Sequence, residues 1–295
     1  MAHSTFIRYK GIVNNHIKPA LGHRKLKNLT RVEVRRFYNE KGKALSARSV
    51  DYIHVTLQKA LSQAVRDDLI PRNVATGERP RSSRQQSVEE ARALSPAQVK
   101  ALIMAARGQR NEALYVMAIH TGLRRGELLG LKWTDIDLDA GKLSVRRSLK
   151  VTENGLAFGS LKNKTSYRSV PLNKTAVAAL RAHRARQNAE ILVAPEWRDT
   201  GLVFPNRVGK PINPSNLYHR EYMPLLKRAG LEEERFTFHS LRHTFASALC
   251  NEREYPKVIQ SLLGHSSITQ TMDTDSHLME GMGSGAVDGL DEAFG

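Results

Sequence analysis

The sequence predicts a mainly α protein: an all-helical domain, then a mixed, mostly helical domain carrying a small antiparallel sheet. Three observations predict it. Apolar residues recur at helical spacing along most of the chain, whereas short alternating runs are confined to residues 135–172. The stretch TGERPRSSRQQSVEE, rich in Pro, Gly, Ser, Arg and Gln, interrupts the pattern about a third of the way along. At 295 residues, 40% of them hydrophobic, the chain can fill two cores on the usual prior of roughly 100–200 residues per domain.

In order, Phe6, Ile7, Ile12, Val13 and Ile17 mark a first helix that Pro19 and Gly22 should interrupt. Thr30 with Glu33 reads as a capping box opening a second helix through Val32, Val34 and Phe37. Ser46 or Ser49 opens a long third helix with Val50, Ile53, Leu57, Leu61, Ala64 and Val65 as its stripe, stopped by Asp67-Asp68-Leu69-Ile70-Pro71. Leu94-Ser95-Pro96 then places proline at a first helical position. Helical patterns cover about 96–107, 111–121 and 126–132. Residues 135–139 and 142–145 read as two strands around Ala140-Gly141, and 167–172 as a third strand after a loop at 159–166. Helices follow at about 174–190, 214–229, 238–251, 255–263 and 266–278. The domains expected are therefore 1–75, a linker over 76–92, 93–278, and a tail over 279–295.

The charge narrows the function. The chain holds 46 Lys plus Arg against 29 Asp plus Glu, a net of +17, and residues 1–92 carry +11 of it. The tail from His277 has no Lys or Arg, while Glu280, Asp288, Asp291 and Glu292 are acidic. One cysteine, Cys250, excludes a disulfide framework and a cysteine-based zinc module. No apolar run reaches the roughly 20 residues of a membrane span, so a cytoplasmic protein with a polyanionic partner is expected. Aromatics are 6%, so phosphate contact through Lys and Arg outranks base stacking.

Three clusters could carry chemistry. In TGLRRGELLGL (121–131), Arg124 follows a glycine turn and Glu127 lies three residues on. In HSLRHTFA (239–246), His239 and Arg242 share a helical face. In LGHSS (263–267), His265 stands at a turn before a helix. Singly these read as a surface ion pair, a core histidine and a helix cap. Together, two arginines and two histidines at helix starts and turns form a phosphate clamp with proton-transfer groups, because the planar guanidinium fork binds two phosphate oxygens at once.

These boxes, with LKNKTSYRSVPL and LLGHSSITQTMDT-x-SHL, resemble the phage integrase family of tyrosine recombinases in order and separation. Residues 4–85 look like that family's helical core-binding domain and 93–278 like its catalytic domain. The resemblance implies that Arg124 and Arg242 grip the scissile phosphate, His239 assists proton removal from the nucleophile, and His265 hydrogen-bonds the phosphate. Glu127 matches the acidic helper that holds these side chains. Lys162, with Lys164 in reserve, matches a β-hairpin general acid. No metal or nucleotide cofactor is implied, since a phosphotyrosine link preserves the energy of the broken phosphodiester. The implied partners are double-stranded DNA at a core attachment site, further copies of the chain in a tetrameric synapse, and host or phage directionality factors. The implied shape is a clamp joined across 76–92, with Arg81 and Arg84 tracking the DNA backbone. Base or backbone contacts are expected from Arg48, Tyr52, His54 and Lys59 on the third helix, and the tail docks on a neighbouring copy.

The sequence departs from the family at one decisive place. The nucleophilic tyrosine position is occupied by Asp275, and no tyrosine follows Tyr255. A carboxylate there is short by a ring and sets a negative charge toward phosphate, at a cost on the order of 1–4 kcal/mol for charges about 4 Å apart. The expectation is a chain that binds DNA and does not cleave it. Many members also carry an arm-binding domain in front, whereas here Ser4-Thr5-Phe6 already opens the core-binding helix. With Asp275, this reads as an engineered, inactive fragment. Two other classes fit: a DNA-binding regulator derived from a recombinase, and a DNA-nicking phosphodiesterase that uses water.

Overall fold

The computed structural model describes residues 3–78, 93–153, 155–161, 164–265 and 267. The chain divides into two compact units, Met1–Glu89 and Glu90–Gly295.

The first unit is helical. Helix α1 (His3–Ile12) passes through a π-helical segment (Val13–Ile17) into α2 (Lys18–Leu21). Pro19 therefore does not break the helix, as its sequence position suggested. It sits in the first turn of α2, just after the wider π turn, where a missing N–H costs little. The helical run instead ends at Gly22, whose N–H still bonds the Lys18 carbonyl at 2.9 Å. Helix α3 (Arg31–Ala44) opens on a complete capping box between Thr30 and Glu33. Helix α4 (Ala47–Arg66) opens on Ser46, which accepts from the Ser49 N–H. Val34, Phe37, Val50, Ile53, Leu57 and Leu61 interlock in the core between them.

The second unit packs helices around two small antiparallel sheets. After α5 (Pro96–Ala106), α6 (Glu112–Thr121) and α7 (Arg125–Leu129) come β1 (Ile136–Asp137) and β2 (Lys142–Val145). Strand β5 (Arg168–Pro171) adds to β2, in the order β1-β2-β5, with Val145 opposite Arg168. Between them lies a separate hairpin, β3 (Ser148–Thr152) with β4 (Gly155–Gly159), that the sequence pattern did not reveal. Its signal was present: Asn154-Gly155 between alternating runs is a strong hairpin dipeptide, and Gly155 takes φ +103°. Of LKNKTSYRSVPL, matched in sequence to a lysine-bearing hairpin, residues 162 and 163 lie outside the described residues. The rest leads through a 3-10 turn (Lys164–Ser166) into β5, whose partner is β2.

Helix α8 (Lys174–Val193) follows, then α9 (Pro214–Asn216), a π segment (Leu217–Tyr222) and α10 (Met223–Arg228). Helices α11 (Phe238–Asn251) and α12 (Pro256–Leu263) complete the described elements. Helix α6 runs through the centre, buried on all sides from Ala113 to Ile119. That explains its apolar sequence without an amphipathic stripe. Leu114, Leu128, Leu143, Leu180 and Leu241 join one core. Among the described residues no helix is long and apolar enough to cross a membrane.

Candidate active site

Two helix C-termini build this site. Helix α6 ends at Gly122, in the left-handed region at φ +58°. Its Cβ-less face admits Phe245 and Leu263, since a Cβ there would lie 2.4 Å from Phe245 Cδ1. Helix α12 ends at Gly264, φ +64°, leaving the carbonyls of Leu262, Leu263 and Gly264 open at a terminus that carries partial negative charge. Guanidinium groups complete these ends. Arg242 donates from Nη1 to the Gly122 carbonyl at 2.7 Å and from Nη2 to Leu263 at 2.6 Å. Arg124 donates from Nη2 to Gly264 at 3.2 Å and reaches Leu263 at 3.5 Å. The first and second arginine boxes, 118 positions apart in sequence, thus meet on the turn of the third.

Local chemistry sets each side chain. Arg124 is the extended residue capping α7, so its side chain leaves the helix rather than joining it. Glu127 folds back to accept from the Arg124 N–H at 3.0 Å and from Arg124 Nη1 at 3.0 Å. Gly126 lets the β3 backbone approach, a Cβ there falling 2.7 Å from the Leu149 carbonyl. His239 and Arg242 stand one turn apart on α11, which opens on Thr237 with reciprocal bonds to Ser240. His239 keeps a solvent-exposed edge and meets His243 edge-to-face at 4.8 Å. His265 is buried, with its N–H bonded to the Gln260 carbonyl and its own carbonyl accepting from Gln260 Nε2.

The electrostatics follow. Partial desolvation, then the nearby His243, Arg242 and Arg124, hold His239 down at about 4. Burial, followed by the charges of Arg242 and Arg124, holds His265 at about 3. Both rings are therefore neutral near pH 7 and can accept or share a proton. Burial would raise Glu127, but Arg168 and Arg124 outweigh it and keep the carboxylate ionised.

Arg168 was missed in the sequence. Its Nη2 donates to Glu127 Oε2 at 3.0 Å, Nε to the Leu262 carbonyl at 2.6 Å and Nη1 to Ser166 at 3.1 Å. Its side chain is 4% exposed and that of Glu127 2%. An arginine alternating with buried Val170 on β5 was the available signal, because same-face strand positions share an environment. The cluster of Arg124, Arg168 and Arg242 against Glu127 carries a net positive charge suited to an oxyanion.

Other expected residues lie elsewhere or outside the described residues. Lys162, Arg81, Arg84, Asp275 and the tail are outside them, and Lys164 opens the 3-10 turn before β5. On α4, Arg48 and Tyr52 are exposed, and the nearby Arg48 pulls the Tyr52 phenol below its ordinary value. Lys59 donates to Tyr9 Oη at 2.8 Å. His54 turns inward instead, 8% exposed, with Nδ1 3.1 Å from Tyr38 Oη. Its place two residues from Tyr52 puts it on the core side of the helix.

Known proteins resemble the chain in sequence and in fold. Residues 92–277 match the Phage integrase family, and residues 1–42 match the phage integrase N-terminal SAM-like domain. A XerC-like tyrosine recombinase of Caldanaerobacter subterraneus subsp. tengcongensis is 33% identical, over 99% of this chain and 78% of that protein. An integrase of Streptomyces ambofaciens is also 33% identical, over 87% of this chain and 66% of that protein. In structure, the Tn1549 transposon integrase in complex with a circular intermediate DNA superposes with a TM-score of 0.79 at 22% identity, covering 96% of this chain and 94% of that one. A lambda integrase dimer bound to a COC′ core site gives 0.64 at 21% identity, covering 96% and 73%. With its arginine boxes meeting on one turn and residues 92–277 matched to the family, the chain belongs to the phage integrase family of tyrosine recombinases.

Proposed function

We propose that this chain binds duplex DNA at a core recombination site and grips one backbone phosphate without cleaving it. The convergence of Arg124 and Arg242 on the Leu263 carbonyl carries the reading. It sets two guanidinium groups side by side, and the neighbouring His265 completes the clamp. In this reading residues 1–75 and 93–278 both contact the core site, and the basic 76–92 stretch links them in the chain. Arg48, Tyr52 and Lys59 lie on the DNA-facing helix, and Arg81 and Arg84 follow the backbone. Copies of the chain assemble as a tetramer on DNA, as site-specific strand exchange requires.

The chemistry follows from charge. In-line attack on a phosphodiester piles negative charge on the non-bridging oxygens, and preorganised donors aimed at them are the largest usual catalytic contribution. Arg124, Arg242 and His265 supply those donors. Neutral His239 takes the proton of an attacking hydroxyl, and Lys162, with Lys164 as the alternative, protonates the leaving 5′ oxygen. A tyrosine at 275 would form the 3′-phosphotyrosine link while the P–O5′ bond breaks. Asp275 is too short and already negative, so the step stops at binding.

The test uses a pool of nicked random-sequence duplexes, in which a strand cut near the nick diffuses away and traps the covalent product. The chain as it stands should yield no protein–DNA adduct on a denaturing gel. Asp275→Tyr should yield one, and sequencing the captured DNA identifies the site. An adduct on the unmodified chain, or nicked product without an adduct, would overturn the reading.

A further inference from the structure

Glu127 presents a puzzle for a phosphate site. A buried carboxylate 3.0 Å from Arg124 should spend the charge that Arg124 needs for its ligand. The second oxygen of the same carboxylate, however, is held by Arg168, 3.0 Å away. The pair is almost wholly enclosed, with side chains 4% and 2% exposed, whereas the Arg124 side chain is 36% exposed. One guanidinium is thus sealed in and one faces out, with a single negative charge between them.

We propose that Arg168 is a positioning residue that neutralises Glu127, so that Glu127 can orient Arg124 without cancelling its charge. The inference rests on the phosphate-grip reading above. Arg168 has a second effect. Through Nε on the Leu262 carbonyl it ties β5 to the end of α12, the same turn that holds Arg124 and Arg242 and leads into His265. Gly264 leaves room for that approach, since a Cβ there would lie 3.0 Å from Arg168 Nη1 and crowd it. Sequence separation hides the device, because Glu127 and Arg168 lie 41 positions apart. Without Arg168, Glu127 and Arg124 become a neutral pair, and the clamp keeps the charge of Arg242 alone.

Each guanidinium nitrogen of Arg168 already donates inward, to Leu262, Ser166 or Glu127, so an effect of this residue on counterion release is diagnostic. Affinity for random-sequence duplex DNA is measured by fluorescence anisotropy over a salt series, and the slope of log K against log[salt] is compared between variants. Each lost phosphate contact lowers the slope by about 0.9. Arg124→Gln should lower it by about that amount, and Arg168→Gln should do the same although the residue is enclosed. Arg168→Lys should keep the slope, and adding Glu127→Gln to Arg168→Gln should restore it. Thermal denaturation of the same samples reports folding. A merely structural Arg168 would lower the melting temperature or the active fraction with the slope unchanged, and the second substitution would restore nothing. That outcome, with Arg124→Gln still losing its 0.9, overturns the role of Arg168 alone. An unchanged slope for Arg124→Gln overturns the phosphate-grip reading, and the inference with it.

Discussion

Replacing Gly122 by alanine should unfold the site from its centre. Gly122 holds φ +58° and ψ 19°, a conformation that costs an alanine roughly 1–2 kcal/mol. The added Cβ would fall 2.4 Å from Phe245 Cδ1 and 3.0 Å from Leu263 Cδ2, closer than packed carbons come. Neither neighbour is a free chain end: Leu263 is fully buried, and Phe245 packs against the small core of Ala246, Cys250, Ile259 and Leu263. Relieving such a contact costs about 1–3 kcal/mol in side-chain and backbone shifts. The two effects together are about 2–5 kcal/mol, or a melting temperature lower by roughly 4–20 °C for a unit of this size. Because the Gly122 carbonyl accepts from Arg242, the same shift should weaken DNA binding in the surviving folded fraction. Differential scanning calorimetry measures the first effect. A double-mutant cycle with Phe245→Leu isolates the contact, and the pair should lose less than the two singles combined, by about 1 kcal/mol or more. A Gly122→Ala variant within about 0.5 kcal/mol of the parent, or a cycle with no coupling, would refute the reasoning.

Three further substitutions have expected outcomes. Glu127→Ala should cost about 3–5 kcal/mol in urea unfolding, because it leaves the enclosed Arg168 charge without its counterion. His265→Gln should flatten the acid limb of the stability curve. The folded ring titrates at about 3 against an ordinary value of 6.5, so the unfolded chain binds the extra proton between those pH values and stability falls as pH drops through that window. Equilibrium unfolding from pH 7 to pH 4 should show a shallower decline in the variant. Ile53→Ala, at a fully buried position between α3 and α4, should cost the first unit about 2–5 kcal/mol. Limited proteolysis should then cut within residues 1–89 before it cuts the second unit.

Much of this protein was legible in its sequence. Thr30 and Ser46, one of the two serines the sequence offered, open helices, and Pro96 takes a first helical position, because caps and first turns are local relations. The β1, β2 and β5 strands and the long α8 also follow from local alternation and periodicity. Pro19 misled because a local rule met a π turn beside it. The β3–β4 hairpin was passed over although the Asn154-Gly155 dipeptide was there to be read in the sequence. His54 looked like one more polar residue on a DNA-facing helix, and only its angular position relative to Tyr38 placed it inside.

For the site, the sequence by itself determined the family boxes, the charge balance, and an aspartate at 275 with no tyrosine after Tyr255. Those are matters of which residues are present and in what order. Tertiary structure alone decided that Arg124 and Arg242 share the end of α12, and that a third arginine sits behind them sealed against Glu127. The reason is that helix-end carbonyls and a buried carboxylate exert their fields over a few ångströms of space, whereas Glu127, Arg168 and Leu262 are separated by tens of residues of chain. That Arg124 is left partly exposed while Arg168 is sealed against Glu127 is a matter of burial, and burial belongs to the fold.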